Sequence, residues 1–248
     1  RISKKSNKLL IMKKYIILVI SICFLLCGCE ITPQIEKEEQ VIDGLNFKVE
    51  YENYNSTNYQ LNIDKDNNFK YIDMNNINKV FSSNNIIFIG DPKDDKSRYT
   101  VSTLIKLKKD YNVDIYYYNY EENNPKYEIT DEKLEKTKDG TELYNEMLKR
   151  LEKYITQLNI EKDSKVYTTE EKNFSNPALV FIVNNKIYGY YDDFEFDVTK
   201  NNVVLTEQYQ KLIIDGFDQI TKQQNWYQKY QFFYNKKLFY SHFKPYLI

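Results

Sequence analysis

The chain has 248 residues, 42% of them apolar and 29% charged, with a formal net charge of -1. It is long enough for one globular domain of ordinary size and too short for two comfortable ones. Six glycines and five prolines without low-complexity tracts exclude collagen-like, linker-type and proline-rich chains, and 24 tyrosines with 14 phenylalanines argue against disorder.

The cysteines are Cys23, Cys27 and Cys29, and the single histidine is His242. Beyond residue 29, disulfide exchange, Cys/His metal sites and Cys-His or Ser-His-Asp catalysis therefore have little to work with. At the start, Met12 is the natural beginning of an ordered pattern: Lys13 and Lys14 form a positive segment, Ile16 to Leu26 an apolar one, and Leu26-Cys27-Gly28-Cys29 ends it with a small residue ahead of a cysteine. The apolar run is shorter than the about 20 residues that a spanning helix needs, which disfavours a retained membrane anchor. This pattern resembles the signal of bacterial lipoproteins. The resemblance implies removal of residues 1–28, diacylglycerol on the Cys29 sulfur, and a lipid anchor on the extracytoplasmic face of the cytoplasmic membrane.

Removal of residues 1–28 takes six bases (Arg1, Lys4, Lys5, Lys8, Lys13, Lys14) and no acid from 35 bases and 36 acids, leaving -7. No acid follows Asp218, whereas Lys222, Lys229, Lys236, Lys237 and Lys244 do, so residues 29–218 carry 24 bases against 36 acids, or -12. A body this acidic repels nucleic acid and anionic headgroups, and no nucleic-acid partner is expected.

In chain order, residues 29–40 read as a polar, lipidated tether. Residues 41–222 read as one domain with an N-terminal extension. Alternation in Phe47-Lys48-Val49-Glu50-Tyr51 and Leu61-Asn62-Ile63 predicts weak strands, and Asp73 is placed to cap a short helix carrying Ile77, Val80 and Phe81. Ile86-Ile87-Phe88-Ile89, closed by Gly90-Asp91-Pro92, predicts a strand buried on both faces. The spacing of Val101, Leu104, Leu107 and Tyr111 predicts a helix over 95–110, and Val113 to Tyr118 a second strand in parallel crossover order. Residues 120–140 read as irregular. A long helical period runs from Thr141 through Leu143, Met147, Leu151, Ile155 and Leu158. Asn176-Pro177 opens a third strand, Ala178 to Val183, which Asn184-Asn185 turns into a fourth, Lys186 to Tyr190. Thr206 is placed to cap a last helix carrying Tyr209, Leu212, Ile213, Phe217 and Ile220.

The order strand-helix-strand, helix, strand-hairpin-strand, helix resembles the thioredoxin fold. Glu50-Tyr51-Glu52, Phe88-Ile89-Gly90-Asp91-Pro92, Gly140-Thr141, Glu171-Lys172 and Asn176-Pro177-Ala178-Leu179-Val180-Phe181 together resemble thioredoxin-like bacterial lipoproteins related to bacteriocin transport accessory proteins. The resemblance implies an α/β fold with a central mixed sheet flanked by helices. In that group the turn after the first core strand reads Gly-x-Pro-x-Cys-x-x-Cys. The two thiol positions here are Asp94 and Ser97, so the dithiol is lost and no redox enzyme is expected.

What remains is a degenerate turn, Asp94, Asp95, Lys96 and Ser97, for which helix capping is favoured over a divalent cation because Lys93 and Lys96 interleave the acids. No cofactor or metal is expected. The resemblance also implies a cis proline at Pro177, with Asn176 and Ala178 offering backbone groups to an extended chain, or kept for the strand's own geometry. Tyr116, Tyr117 and Tyr118 read as sheet cover. Ten of the last 23 residues, 226–248, are aromatic and none is acidic. This tail is open to three readings: packing, translation past a frameshift, or contact with a membrane or partner. The expected function is a redox-inactive accessory module for a peptide or envelope protein; a structural lipoprotein without a ligand and a non-redox enzyme built on the acidic turn are the alternatives.

Overall fold

The computed structural model describes residues 31–56, 59–108, 110–111, 113–199 and 202–222. Cys29, the segment before it that is expected to be a signal, His242 and the tail 226–248 lie outside the described residues. The chain separates into two units, Arg1–Ile42 and Asp43–Ile248. No helix among the described residues is long and apolar enough to cross a membrane.

A five-stranded sheet organises the second unit. Its strands are β1 (Phe69–Tyr71), β2 (Asn85–Gly90), β3 (Ile115–Asn119), β8 (Ala178–Val183) and β9 (Lys186–Tyr191), in the order β1-β3-β2-β8-β9. β1 and β2 both run parallel to β3, while β8 is antiparallel to its neighbours β2 and β9. Every residue of β2 is buried, as its unbroken apolar run requires. Ile86 and Phe88 face one way with Ile115, Tyr117, Leu179 and Phe181; Ile87 and Ile89 face the other with Tyr116, Tyr118, Val180 and Ile182.

Helices cover both faces. On the first lie the part of α1 (Ile31–Glu52) from Asp43 onward, α3 (Asp95–Lys108) and the last helix, residues 207–222, through Phe47, Tyr51, Val101, Leu104, Ile213 and Phe217. On the second lie α2 (Ile77–Phe81) and α5 (Glu142–Leu151), through Ile77, Val80, Leu143, Tyr144, Met147 and Leu151. The architecture is thus mixed α/β, a central mixed sheet between helical layers. The β2-α3-β3 crossover and the β8-β9 hairpin stand where the periodicity puts them, and Asn184 and Asn185 both take positive φ (52° and 61°) as a two-residue hairpin turn demands.

Several segments differ from the sequence expectation. Residues 31–40, within the segment expected as a polar tether, and 47–51, expected as a strand, belong to α1. Phe47 and Tyr51 are buried while Val49 is half exposed. The apolar contacts follow the i, i+4 spacing of a helix, and the Phe47 ring stacks on Phe69 at 3.9 Å. Leu61 and Ile63 are buried without forming a strand. Asn76, not Asp73, is the residue before α2; Asp73 Oδ1 instead accepts from the N–H groups of Asn75 and Asn76 and shapes the approach. Thr206 precedes the last helix, but its Oγ1 is buried without a partner among the described residues, and its carbonyl takes the Gln210 N–H.

Insertions replace the expected irregular stretch. After β3 come α4 (Tyr120–Asn123) and the hairpin β4 (Lys126–Thr130) with β5 (Lys133–Lys138). The long helix expected from Thr141 to Leu158 stops at Leu151, and Ile155 and Leu158 fall at the start of a second hairpin, β6 (Thr156–Lys162) with β7 (Lys165–Asn173). A third, β10 (Phe196–Thr199) with β11 (Asn202–Leu205), precedes the last helix. The first two turn on Asp131-Glu132 and Asp163-Ser164, all four at positive φ, a conformation that no glycine in the sequence announced.

Candidate functional site

The turn after β2 is built from backbone bonds and two aspartates. Gly90 closes the strand against its neighbours: a Cβ there would stand 2.4 Å from Phe88 Cζ and 2.6 Å from Tyr51 Oη. Asp91 accepts the Lys93 N–H at 2.8 Å, and the Asp91 carbonyl accepts the Asp94 N–H at 3.1 Å. Asp94 Oδ2 then accepts the Ser97 N–H at 2.7 Å, one of the first-turn donors of α3 that would otherwise lack a partner. The Asp94 carboxylate, where the resemblance would place the first thiol, thus caps the helix. Asp95 and Lys96 are exposed, and Lys93 pairs with Glu121 at 2.9 Å.

Ser97, where the resemblance would place the second thiol, is fully buried. Its hydroxyl donates to Asn176 Oδ1 at 2.7 Å and accepts from the Asp91 N–H at 3.1 Å. With its hydrogen committed, this oxygen is a structural tie rather than a nucleophile. It joins the end of β2 and the first turn of α3 to the segment before β8. The Asn176–Pro177 peptide is cis, and Ala178 pairs with Ile89. The degenerate turn, Asn176, Pro177 and Ala178 are therefore brought together at one end of the sheet.

Beside this junction lies a cleft of about 420 Å³. Lys96 and the segment Asn173 to Pro177 form one side, the first residues of β6 (Thr156 to Asn159) another, and Asp193 and Phe194 complete it. Ser175 is held in place by two contacts, its N–H donating to Tyr190 Oη at 3.3 Å and its Oγ to Asp192 Oδ2 at 2.8 Å. A larger cavity, about 610 Å³, lies where α5 meets the hairpins. Most of its charges already have protein partners: Lys136 pairs with Glu171 at 2.7 Å, Lys149 with Glu146 at 3.5 Å, and Lys172 donates to the Glu152 carbonyl. It reads as a seam between elements, and the smaller cleft as the site.

Behind the turn, carboxylates and tyrosines meet. Glu50 of α1 accepts from the hydroxyls of Tyr71 and Tyr117 and from Asn119 Nδ2. Burial pushes its pKa up, the two tyrosine bonds pull against that, and the charges of Glu122 and Asp91 add to the rise. Burial likewise raises Asp91, with Glu121 and Asp94 adding to it. Arg98 is buried at 2% exposure and clamps the chain leaving α1, donating to the Tyr51 carbonyl at 2.5 Å and to Asn55 Oδ1 at 2.8 Å, with the Tyr59 ring 5.8 Å away. Sequence reasoning passed over Arg98, although its place three residues before Val101 sets it on the inward face of α3. Glu50 figured in the sequence only within an alternating run and a resemblance, neither of which gave it a role.

The arrangement offers a capped helix start, a polar cleft and a segment of irregular backbone lining it. Among the described residues, no group of three or more metal-ligating side chains is placed to hold an ion. No known protein family, curated protein or solved structure matches the chain.

Proposed function

We propose that this chain is a redox-inactive, thioredoxin-like lipoprotein, anchored through Cys29, that holds an extended peptide or a segment of an envelope protein in the cleft beside Asn176-Pro177. The observation that carries the reading is the Ser97–Asn176 hydrogen bond. It ties the turn where the resemblance places a dithiol to the segment that lines the cleft, so the groove is kept while the chemistry is not. The strand order β1-β3-β2-β8-β9, the helix that starts at the turn after β2, and the absence of any cysteine after Cys29 support the same reading. An extended ligand suits the site, because backbone groups that lie outside the sheet ladder are natural partners for another chain's amides.

The test is selection of a random decapeptide library on the purified full chain, set against Asn176→Ala. Enrichment on the wild-type protein that collapses on the variant is the expected result. Equal enrichment on both, or none on either, defeats the reading. The anchor is tested separately: Cys29→Ser is expected to leave the membrane fraction or remain unprocessed, and an unmodified wild-type chain still carrying residues upstream of 29 in membranes overturns that part.

A further inference from the structure

The walls of the cleft have a donor chemistry that a backbone-binding groove does not by itself require. Asn173, the last residue of β7, is 5% exposed. Its Oδ1 accepts from Asn124 Nδ2 at 3.0 Å and from the Phe174 N–H at 2.9 Å. Only an oxygen can accept from both, so the orientation of the amide is settled. Its Nδ2 has no hydrogen-bond partner among the described residues, although the residue lines the cleft. A buried donor left unmatched is costly, and a structure that keeps one calls for an explanation. Asn176 has its Oδ1 engaged by Ser97, so what it presents to a ligand is also an N–H₂ group. Lys96 adds an ammonium to the same lining.

We infer that the cleft seats a single carboxylate, supplied by the free C-terminus of an extended peptide. The amide nitrogens of Asn173 and Asn176 bond its oxygens, and Lys96 supplies the opposite charge. The volume, about 420 Å³, holds only a few residues, which suits a chain end rather than a chain passing through. Asp193, on the same lining, opposes a run of acidic residues and limits the ligand to one negative group. Asn173 Nδ2 is closed to bulk water, so the seat requires the side chains that shield it to rearrange when a ligand oxygen enters. This inference rests on the groove of the preceding reading and specifies which end of the peptide it takes.

Fluorescence anisotropy on the full chain with N-terminally labelled tetraalanine, as the free acid and as the C-terminal amide, tests it. The acid is expected to bind at least about tenfold more tightly. Asn173→Asp keeps the acceptor that Asn124 and Phe174 need and removes the donor, so it is expected to abolish the preference. Lys96→Gln, at an exposed position where folding is not at stake, is expected to reduce it severalfold. Equal binding of acid and amide overturns the carboxylate seat and leaves the peptide groove standing, as does a preference that survives both variants. If neither peptide binds while the decapeptide selection succeeds, the seat alone fails; if both experiments fail, the groove fails with it.

Discussion

Strand β2 buries every side chain from Asn85 to Gly90 and β8 every one from Ala178 to Ile182, whereas the hairpins β4-β5 and β6-β7 leave most of theirs in solvent. The sheet is held by apolar contacts on two faces. The hairpins are joined to each other by ion pairs and polar bonds, Lys136 with Glu171 at 2.7 Å, Lys165 with Glu132 at 2.5 Å, and Lys162 with the Ile129 carbonyl at 3.1 Å. The cleft sits between these regimes. One wall, Asn173 to Pro177, leads directly into the dry core, and the other is the exposed start of β6. Under the proposed binding role, the buried wall would carry the anchoring groups and the exposed wall would be the one to adjust to the ligand's length.

The contrast can be broken from the packed side. Phe181 pairs with Ile86 across β2 and β8 and is fully buried, so Phe181→Ala is expected to cost about 3 to 5 kcal/mol in urea unfolding, the usual toll of an aromatic cavity. A loss below about 1 kcal/mol would show that the sheet is not the stabilising core.

Ser97→Ala comes next. It strips the Asn176 oxygen and the Asp91 N–H of their shared partner inside a buried junction, at an expected cost of about 1 to 3 kcal/mol, and it is expected to loosen the cleft wall as well. Hydrogen exchange around residues 175–178 should accelerate more than exchange in β2; uniform change would mean the tie is merely one core contact among many.

Gly216→Ala sets two effects against each other. Alanine favours a helix over glycine by about 1 kcal/mol, but a Cβ here would stand 2.3 Å from Phe181 Cδ1, and overpacking costs about 1 to 3 kcal/mol. A net destabilisation of roughly 1 kcal/mol is expected; a stabilised variant would mean that the last helix can retreat from the sheet freely.

The pH dependence sharpens the comparison between Glu50 and the exposed charges. Glu50 has a raised pKa in the folded chain, so the folded state holds that proton more tightly than the unfolded one. Its ionisation therefore lowers stability as pH climbs from the ordinary glutamate range through the raised value, and the loss disappears below that range. Glu50→Gln is expected to flatten this part of the stability profile, with Asp91, raised in the same sense, keeping some of the slope. An unchanged slope would exclude Glu50 as its source. The smallest effect belongs to the hairpins: Lys136→Gln breaks a largely exposed pair and is expected to cost no more than about 1 kcal/mol, a difference that salt erases.

The core strands were legible because their signal is local and continuous. Ile86 to Ile89 and Ala178 to Val183 have no polar residue to dilute them, and Asn184-Asn185 states its turn outright. α1 was not legible as a helix, because Phe47, Val49 and Tyr51 satisfy a period of two as well as Phe47 and Tyr51 satisfy a period of four, and only burial separates the two. The overrun of α5 has a similar cause: Ile155 and Leu158 continue the helical spacing after Leu151, although they are placed in and before β6 by contacts that the spacing does not carry. Asp94 as a helix cap was readable from its position alone, since capping is settled within one turn.

By itself, the sequence determined the absence of cysteine beyond Cys29, the buried strands and the capped turn, all of which are read directly from the residues themselves. Only the tertiary structure decided that Ser97 ties itself to Asn176, 79 residues away, that Glu50 gathers tyrosines from β1 and β3, and that Asn173, beside the cleft, carries a buried donor unmatched among the described residues. Those contacts depend on which strand lies beside which, and strand order is set by the burial of whole faces rather than by any short run of residues.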